Sequence, residues 1–192
     1  MNDFFVIGLV GLQASGKTEA TSMFLEEGGS RVRMGDIVWD EVEARNLKVN
    51  QDNVAKVAQE MRDEEGMGAI AKHSIPRIKK KGEKSRFVFV DGIRGFKEVE
   101  IFRDEFEDNF YLLSVKASTE TRYERIKSRD REDDIESLEE FKEKDERELS
   151  WGLEEAMEDA DFKIKNEGSI EELRKKFSQI MEKIKDENKT ES

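Results

Sequence analysis

The stretch Phe4-Phe5-Val6-Ile7-Gly8-Leu9-Val10-Gly11-Leu12-Gln13-Ala14-Ser15-Gly16-Lys17-Thr18 decides the fold. Its first seven residues form a short apolar run rich in β-branched and aromatic side chains. That composition reads as a strand buried on both faces of a parallel sheet. Gly11 to Thr18 then fits G-x-x-x-x-G-K-[ST] at every fixed position. A helix follows, with Ala20, Met23 and Phe24 on one face and Gly28-Gly29 at its end. A chance match to the motif in a chain of this size is on the order of one in a hundred, and the flanking strand and helix lower it further.

Each fixed residue has a physical task. The glycines allow a tight turn whose successive N–H groups face one concavity, an anion nest. The helix starting near Gly16 adds its unpaired N–H groups and positive dipole end. Lys17 can bridge β- and γ-phosphates, and the Thr18 hydroxyl can ligate Mg²⁺. The expected cofactors are therefore ATP and Mg²⁺, with Gly11, Leu12, Gln13, Ala14, Ser15, Gly16, Lys17 and Thr18 forming the phosphate site.

The 192 residues suit one α/β domain. Charged residues make up 42% and hydrophobic ones 35%, yet the latter gather in runs and stripes, so the chain should fold. A net charge of -12 with no basic counter-region argues against a nucleic-acid partner. The chain has no cysteine, which excludes disulfides and cysteine-ligated zinc. His73, the only histidine, reads as a surface or packing residue. No run approaches the ~18 apolar residues of a membrane span. Asp3 and the missing basic segment argue for a strand over a signal peptide, and the expected location is cytoplasmic.

Further along, Arg31–Met34 reads as a strand, and Gly35-Asp36 turns into a helix broken around Asn46 and Asn50–Asp52. Helices are expected over 53–65 and 69–81, the latter kinked or interrupted by Pro76. Arg86–Asp91 is the clearest later strand, ending in a carboxylate. A helix bearing Val99, Phe102 and Phe106 follows, then a strand over 109–117 and a helix capped by Ser118. One long helix is expected over 137–159, then a strand at 161–165 and a last helix over 169–185. The alternation implies a parallel sheet with right-handed crossovers, interrupted by a helical insertion over 36–81 and an arginine-bearing segment at 129–136.

Ligands gather at the carboxyl ends of such strands, where Asp36, Asp91 and Arg94 should meet the phosphate loop. Asp91 suits a Walker-B carboxylate holding the Mg²⁺ shell beside Thr18. Arg94 suits a bidentate phosphate contact. The arginines Arg122, Arg125, Arg129 and Arg131 are offset by neighbouring carboxylates, so any role for them is local.

On these residues the chain resembles the nucleoside-monophosphate kinases from Phe4 to about Ile184. Met34-Gly35-Asp36 is similar to their Thr-Gly-Asp, and Asp91-Gly92-Ile93-Arg94 to their Asp-Gly-Phe-Pro-Arg, one residue shorter. Arg125-Ile126-Lys127-Ser128-Arg129 and Arg131-Glu132-Asp133-Asp134 resemble the two ends of their lid. The nearest resemblance is to the adenylate-kinase-related archaeal P-loop family, through Val90–Gly95, Glu148–Gly152 and Asn166–Ser169. The last stretch also looks like the adenine-holding end of dephospho-coenzyme A kinases. The resemblance implies a three-layer P-loop sandwich with about five parallel strands, a helical acceptor-binding insertion and a short lid. It also implies transfer of the ATP γ-phosphoryl to a small nucleotide-like acceptor. Lys17, Asp36, Asp91, Arg94 and Arg129 would be catalytic, Arg125, Asn166 and Gly168 would hold the nucleotide, and Thr18 and Asp91 the metal.

Two positions depart from that pattern. Ala14 stands where adenylate kinases have glycine, and Trp39 where they carry an acceptor-phosphate arginine. Trp39 either stacks on a base or packs on the core. Asp36 is a general base if the acceptor is a hydroxyl, and a positioning or capping residue otherwise. The other class of function is a regulatory ATPase or switch without an acceptor. A GTPase is disfavoured, because Arg94 fills the glycine position of D-x-x-G and no N-K-x-D occurs.

Overall fold

Phe5–Val10 forms β1 at the centre of a five-stranded sheet, every residue of it buried. The computed structural model describes residues 4–128 and 137–187. After β1 come α1 (Lys17–Glu26), β2 (Ser30–Arg33), α2 (Met34–Ala44), α3 (Gln51–Glu65) and α4 (Ala69–Gly82). Next are β3 (Phe87–Asp91), α5 (Phe96–Phe106), β4 (Phe110–Lys116) and α6 (Thr119–Lys127). The chain closes with α7 (Leu138–Glu148), α8 (Glu154–Glu158), β5 (Phe162–Lys165) and α9 (Ile170–Glu187). All strand pairs are parallel, in the order β2-β3-β1-β4-β5.

Alternation along the strands builds two cores. Val6 and Val10 of β1, with Val88 and Val90 of β3, face α2, α3, α4, α5 and α8. Phe5, Ile7 and Leu9, with Phe87 and Phe89, face α1 and α9. On that second face α1 contributes Ala20, Met23 and Phe24, and α9 contributes Leu173, Phe177, Met181 and Ile184. Fully burying a side chain such as Phe24 or Phe177 stabilises by about 1.5–3 kcal/mol. Gly8 is small by necessity, since a Cβ there would come 2.7 Å from Ile93 Cδ1. Val38, Val42, Val57, Met61, Ile70 and Ile78 join the same cluster as Val6 and Val88, so the helices of the 36–81 insertion share the sheet's core.

Several local expectations are corrected. Strand β2 ends at Arg33, and Met34, Gly35 and Asp36 already belong to α2. The helix break expected around Asn46 and Asn50–Asp52 is present, with α2 ending at Ala44 and α3 starting at Gln51, and Asn50 caps α3, its side chain accepting from Asn53 N–H at 2.9 Å. Pro76 does not interrupt α4, which runs through it from Ala69 to Gly82. Proline lacks an N–H and costs one helical bond, and Ile70, Ala71 and Ile78 on the buried face hold the helix against the sheet. The single long helix expected over 137–159 is divided. A π-type turn, Leu149–Leu153, separates α7 from α8, and Gly152 sits at φ 88. The turn lets the backbone at Trp151 lie against Gly95, where a Cβ would overlap the Trp151 carbonyl. His73 is exposed and pairs with Glu65 at 2.7 Å. Among the described residues no helix is long and apolar enough to cross a membrane.

Candidate active site

The chain passes from one side of β1 to the other between β3 and β4, so the crevice opens at the carboxyl ends of β1 and β3. The register places Leu9 opposite Asp91, which brings the loop after β1 beside the end of β3. In that loop Gly11 has φ 151, Ala14 φ 60 and Gly16 φ 109. A Cβ at Gly11 would overlap the Val115 carbonyl, and one at Gly16 the Asn166 amide, so both positions need glycine. Helix α1 starts after Gly16 with no capping side chain, leaving its first N–H groups to an anion.

Lys17 folds back over this loop, donating from Nζ to the carbonyls of Gly11 at 2.5 Å and Leu12 at 2.8 Å. Burial, with the nearby Arg94 guanidinium, lowers its pKa to about 8, against a smaller opposing pull from Glu148 and Asp91. A bound phosphate would supply the anion that this ammonium lacks. Gly11, Gln13, Ala14, Gly16, Lys17 and Thr18 line a cavity of about 310 Å³ with Asp91, Arg94, Lys144 and Glu148. Leu12 and Ser15 line a different cavity, behind the loop with Val115, Ala117 and Arg122, so their side chains take no part in it.

Asp91 and the exposed Thr18 hydroxyl both border the phosphate cavity. Among the described residues no group of three or more His, Cys, Asp or Glu is placed to hold a metal ion. One carboxylate plus one hydroxyl is nevertheless the donor set that suits Mg²⁺, which takes few protein ligands and completes its shell with phosphates and water.

Three residues brace the loop from behind. Arg122, 2% exposed, forms a two-pronged pair with Asp145 of α7 at 2.5 and 2.9 Å. It also donates to the Gln13 and Ala117 carbonyls at 3.2 Å and lies 4.9 Å over the Phe141 ring. The Asn166 amide donates to the Ser15 carbonyl at 2.8 Å. Arg125 donates to the Asn166 carbonyl at 3.1 Å and reaches the Ala14 carbonyl at 3.4 Å. Arg125, Asn166 and Gly168, expected at the nucleotide, line a further cavity of about 270 Å³ with Gly16, Glu19 and Leu173. The Asn166 side chain, however, is spent on the loop.

On the opposite side the phosphate cavity adjoins one of about 820 Å³, with Gly92, Arg94 and Glu148 lining both. Its walls are Met34, Val38, Trp39, Val54 and Ile70, with Arg62, Glu98 and Trp151. Trp39 is 44% exposed and stands 5.0 Å from the Arg33 guanidinium, so it faces this space rather than the core. The Asp36 carboxylate pairs with Arg33 at 2.7 Å, three residues back, and it lines neither the phosphate cavity nor the larger one. Arg94 reaches Glu148 at 2.9 Å, while its backbone N–H donates to Glu98 at 2.6 Å. Burial raises the Glu98 pKa to about 7, against opposing hydrogen bonds and arginine charges. Arg129 and the lid expected over 129–136 lie outside the described residues. Sequence reasoning missed Arg122–Asp145 as a brace and Glu148 and Lys144 as lining residues. The Glu148–Gly152 stretch had been singled out, but with no role.

Residues 10–142 match a family model described as an AAA domain. A UPF0200 protein of Methanosarcina mazei is 42% identical over 176 residues, covering 92% of this chain and 93% of its own length. The chain belongs to the UPF0200 family. A UPF0200/UPF0201 protein of Archaeoglobus fulgidus is 48% identical over 93% of this chain, which spans 55% of that longer relative. Among solved structures, TT1252 from Thermus thermophilus superposes with a TM-score of 0.65 at 16% identity, covering 96% of this chain and 97% of its own. A dephospho-CoA kinase from Campylobacter jejuni gives 0.59 at 18% identity, with 98% and 100% covered. A shikimate kinase from Bacteroides thetaiotaomicron gives 0.57 at 13%, with 93% and 98% covered. The fold is that of the P-loop kinases, as expected from the first strand and loop.

Proposed function

We propose that the chain transfers the γ-phosphoryl of ATP to a small, nucleotide-like acceptor, as an adenylate-kinase-related enzyme of the nucleoside-monophosphate or dephospho-coenzyme A kinase type. The observation that carries this reading is the row of three adjoining cavities. Gly16 and Glu19 line both the first and the second, and Gly92, Arg94 and Glu148 both the second and the third. The row offers a place for a base, then for phosphates, then for an acceptor of 820 Å³ beside them. A regulatory ATPase needs only the first two, and has no use for a large, mostly apolar chamber opening at Arg94.

Bound ATP-Mg²⁺ would supply the phosphoryl group and the metal charge; the protein supplies position and field. The loop N–H groups and Lys17 hold the phosphates, and their preorganised positive charge answers the charge that spreads over the transferred oxygens. Thr18 and Asp91 would hold the metal. Arg125 and the Asn166–Gly168 backbone would hold the adenine end, and Arg129 stays a proposed catalytic arginine. Arg94, fixed by Glu148, would orient the acceptor, and the apolar walls would exclude the water that otherwise hydrolyses ATP. Asp36, held by Arg33, serves here to start α2.

The test is ADP release with ATP-Mg²⁺, alone and with each of a panel of nucleoside monophosphates and dephospho-coenzyme A. The reading expects release to depend on one acceptor and a product heavier by one phosphoryl group. Equal ADP release with and without every acceptor would favour the regulatory ATPase.

A further inference from the structure

Within the phosphoryl-transfer reading, on which this step rests, we infer that Glu148 receives the proton of a hydroxyl-bearing acceptor. Five carboxylates border the phosphate cavity or the acceptor cavity or lie close by in sequence, and they differ in what they face. Asp36 borders neither and is held by Arg33. Glu19 and Asp91 border only the phosphate side, and Glu98 only the acceptor side. Glu148 borders both. The acceptor's nucleophilic atom must sit at that junction for its oxygen to meet phosphorus.

The two oxygens of Glu148 are unlike. Oε1 accepts from Arg94 Nη1 at 2.9 Å, which fixes the carboxylate. Oε2 is buried and has no hydrogen-bond partner among the described residues, although the residue is only 8% exposed. A buried carboxylate oxygen without a donor is costly, and a hydroxyl at the junction would supply one. A phosphate dianion there would instead meet a carboxylate whose presence already offsets Arg94, the arginine that lines both cavities. Trp39 and Trp151, both partly exposed on the acceptor cavity, suit a planar or apolar body attached to that hydroxyl.

The step balances as follows. The acceptor oxygen forms a bond to the γ-phosphorus, and the bond from that phosphorus to the β,γ-bridging oxygen breaks, its electron pair leaving with ADP. The hydroxyl proton passes to Glu148 Oε2 and then to solvent. The product is a phosphomonoester rather than a phosphoanhydride.

The experiment offers ATP-Mg²⁺ with adenosine, uridine and dephospho-coenzyme A on one side and AMP, CMP, GMP and UMP on the other, and reads product linkage by ³¹P NMR. The expected product is a monoester. Glu148→Gln should then lower kcat by roughly 10²- to 10⁴-fold while ATP affinity, measured by calorimetry, stays within about twofold of wild type. Glu148→Asp, which keeps the carboxylate, should recover part of that loss, and the loss in Glu148→Gln should fall on kcat rather than on the acceptor KM, whereas a role confined to holding Arg94 would raise the acceptor KM. ATP binding also shows that the variant folds. An anhydride product, or a Glu148→Gln enzyme that makes the monoester at the wild-type rate, overturns the assignment while leaving phosphoryl transfer intact. ADP release that no acceptor alters removes the kinase reading itself, and this assignment with it.

Discussion

Replacing Arg122 by Met should be among the most damaging single changes to stability. Arg122 and Asp145 are 2% and 7% exposed, and their two-pronged pair joins α6 to α7. Met keeps much of the apolar contact with Phe141 but leaves Asp145 buried without its cation. Breaking a buried pair from one side costs about 3–5 kcal/mol. In a domain of this size each kcal/mol moves Tm by roughly 2–4 °C, so the expected fall is roughly 6–20 °C. The bond from Arg122 to the Gln13 carbonyl is lost too, so ATP should bind more weakly to the protein that remains folded. Urea unfolding followed by circular dichroism measures the first effect. The double variant Arg122→Met/Asp145→Leu should regain much of the loss, because an apolar pair leaves no charge stranded. An Arg122→Met protein within about 1 kcal/mol of wild type, or a double variant no better than the single, would refute the claim that this pair holds α7 in place.

Lys17→Met should lower phosphoryl transfer by at least ~10²-fold, as loss of one preorganised charge contact does, while the protein folds normally. Because the folded Lys17 pKa lies near 8, below its ordinary value of 10.5, the unfolded chain binds more protons between those values. Wild-type stability should therefore rise with pH across that interval, by on the order of 3 kcal/mol relative to Lys17→Met; parallel stability profiles would count against the buried ammonium. Glu98 runs the other way, with a folded pKa raised from 4.5 to about 7. Its folded form binds more protons between those values, so wild type loses stability as pH rises from about 4.5 to 7, and Glu98→Gln should gain on it over that window and not below it. Asp36→Asn, which disturbs only the pair with Arg33, should keep transfer within about threefold of wild type. A collapse of kcat there would return the proton-accepting role to Asp36.

The fold was legible wherever the signal is local. Phe4–Val10 followed by the loop glycines names a strand, a turn and a helix within fifteen residues, and the alternation of later runs set the parallel sheet. The breaks were less legible because tertiary contacts decide them. Pro76 is carried by the buried face of α4, and α7 is cut from α8 where Gly152 and Gly95 let two backbones approach. Within the site, Lys17, Thr18, Asp91 and Arg94 could be read from motif and strand end. Glu148 could not, because its meaning comes from Arg94, 54 residues earlier. The pairing of Asp36 with Arg33 was not legible, because it depends on β2 ending at Arg33 and α2 starting at once, which sets the two residues one turn apart. Arg122 looked like one more member of a charge-balanced cluster, whereas burial pairs it with Asp145 and the loop.

The most direct measurement follows the γ-phosphoryl itself. ATP carrying ¹⁸O in its γ-phosphoryl group is incubated with the protein, Mg²⁺ and the acceptor panel, and the label is located by mass spectrometry. The account predicts that the labelled phosphoryl appears on an organic acceptor, and that Lys17→Met abolishes its transfer. Label recovered only in inorganic phosphate, whatever acceptor is present, would contradict it.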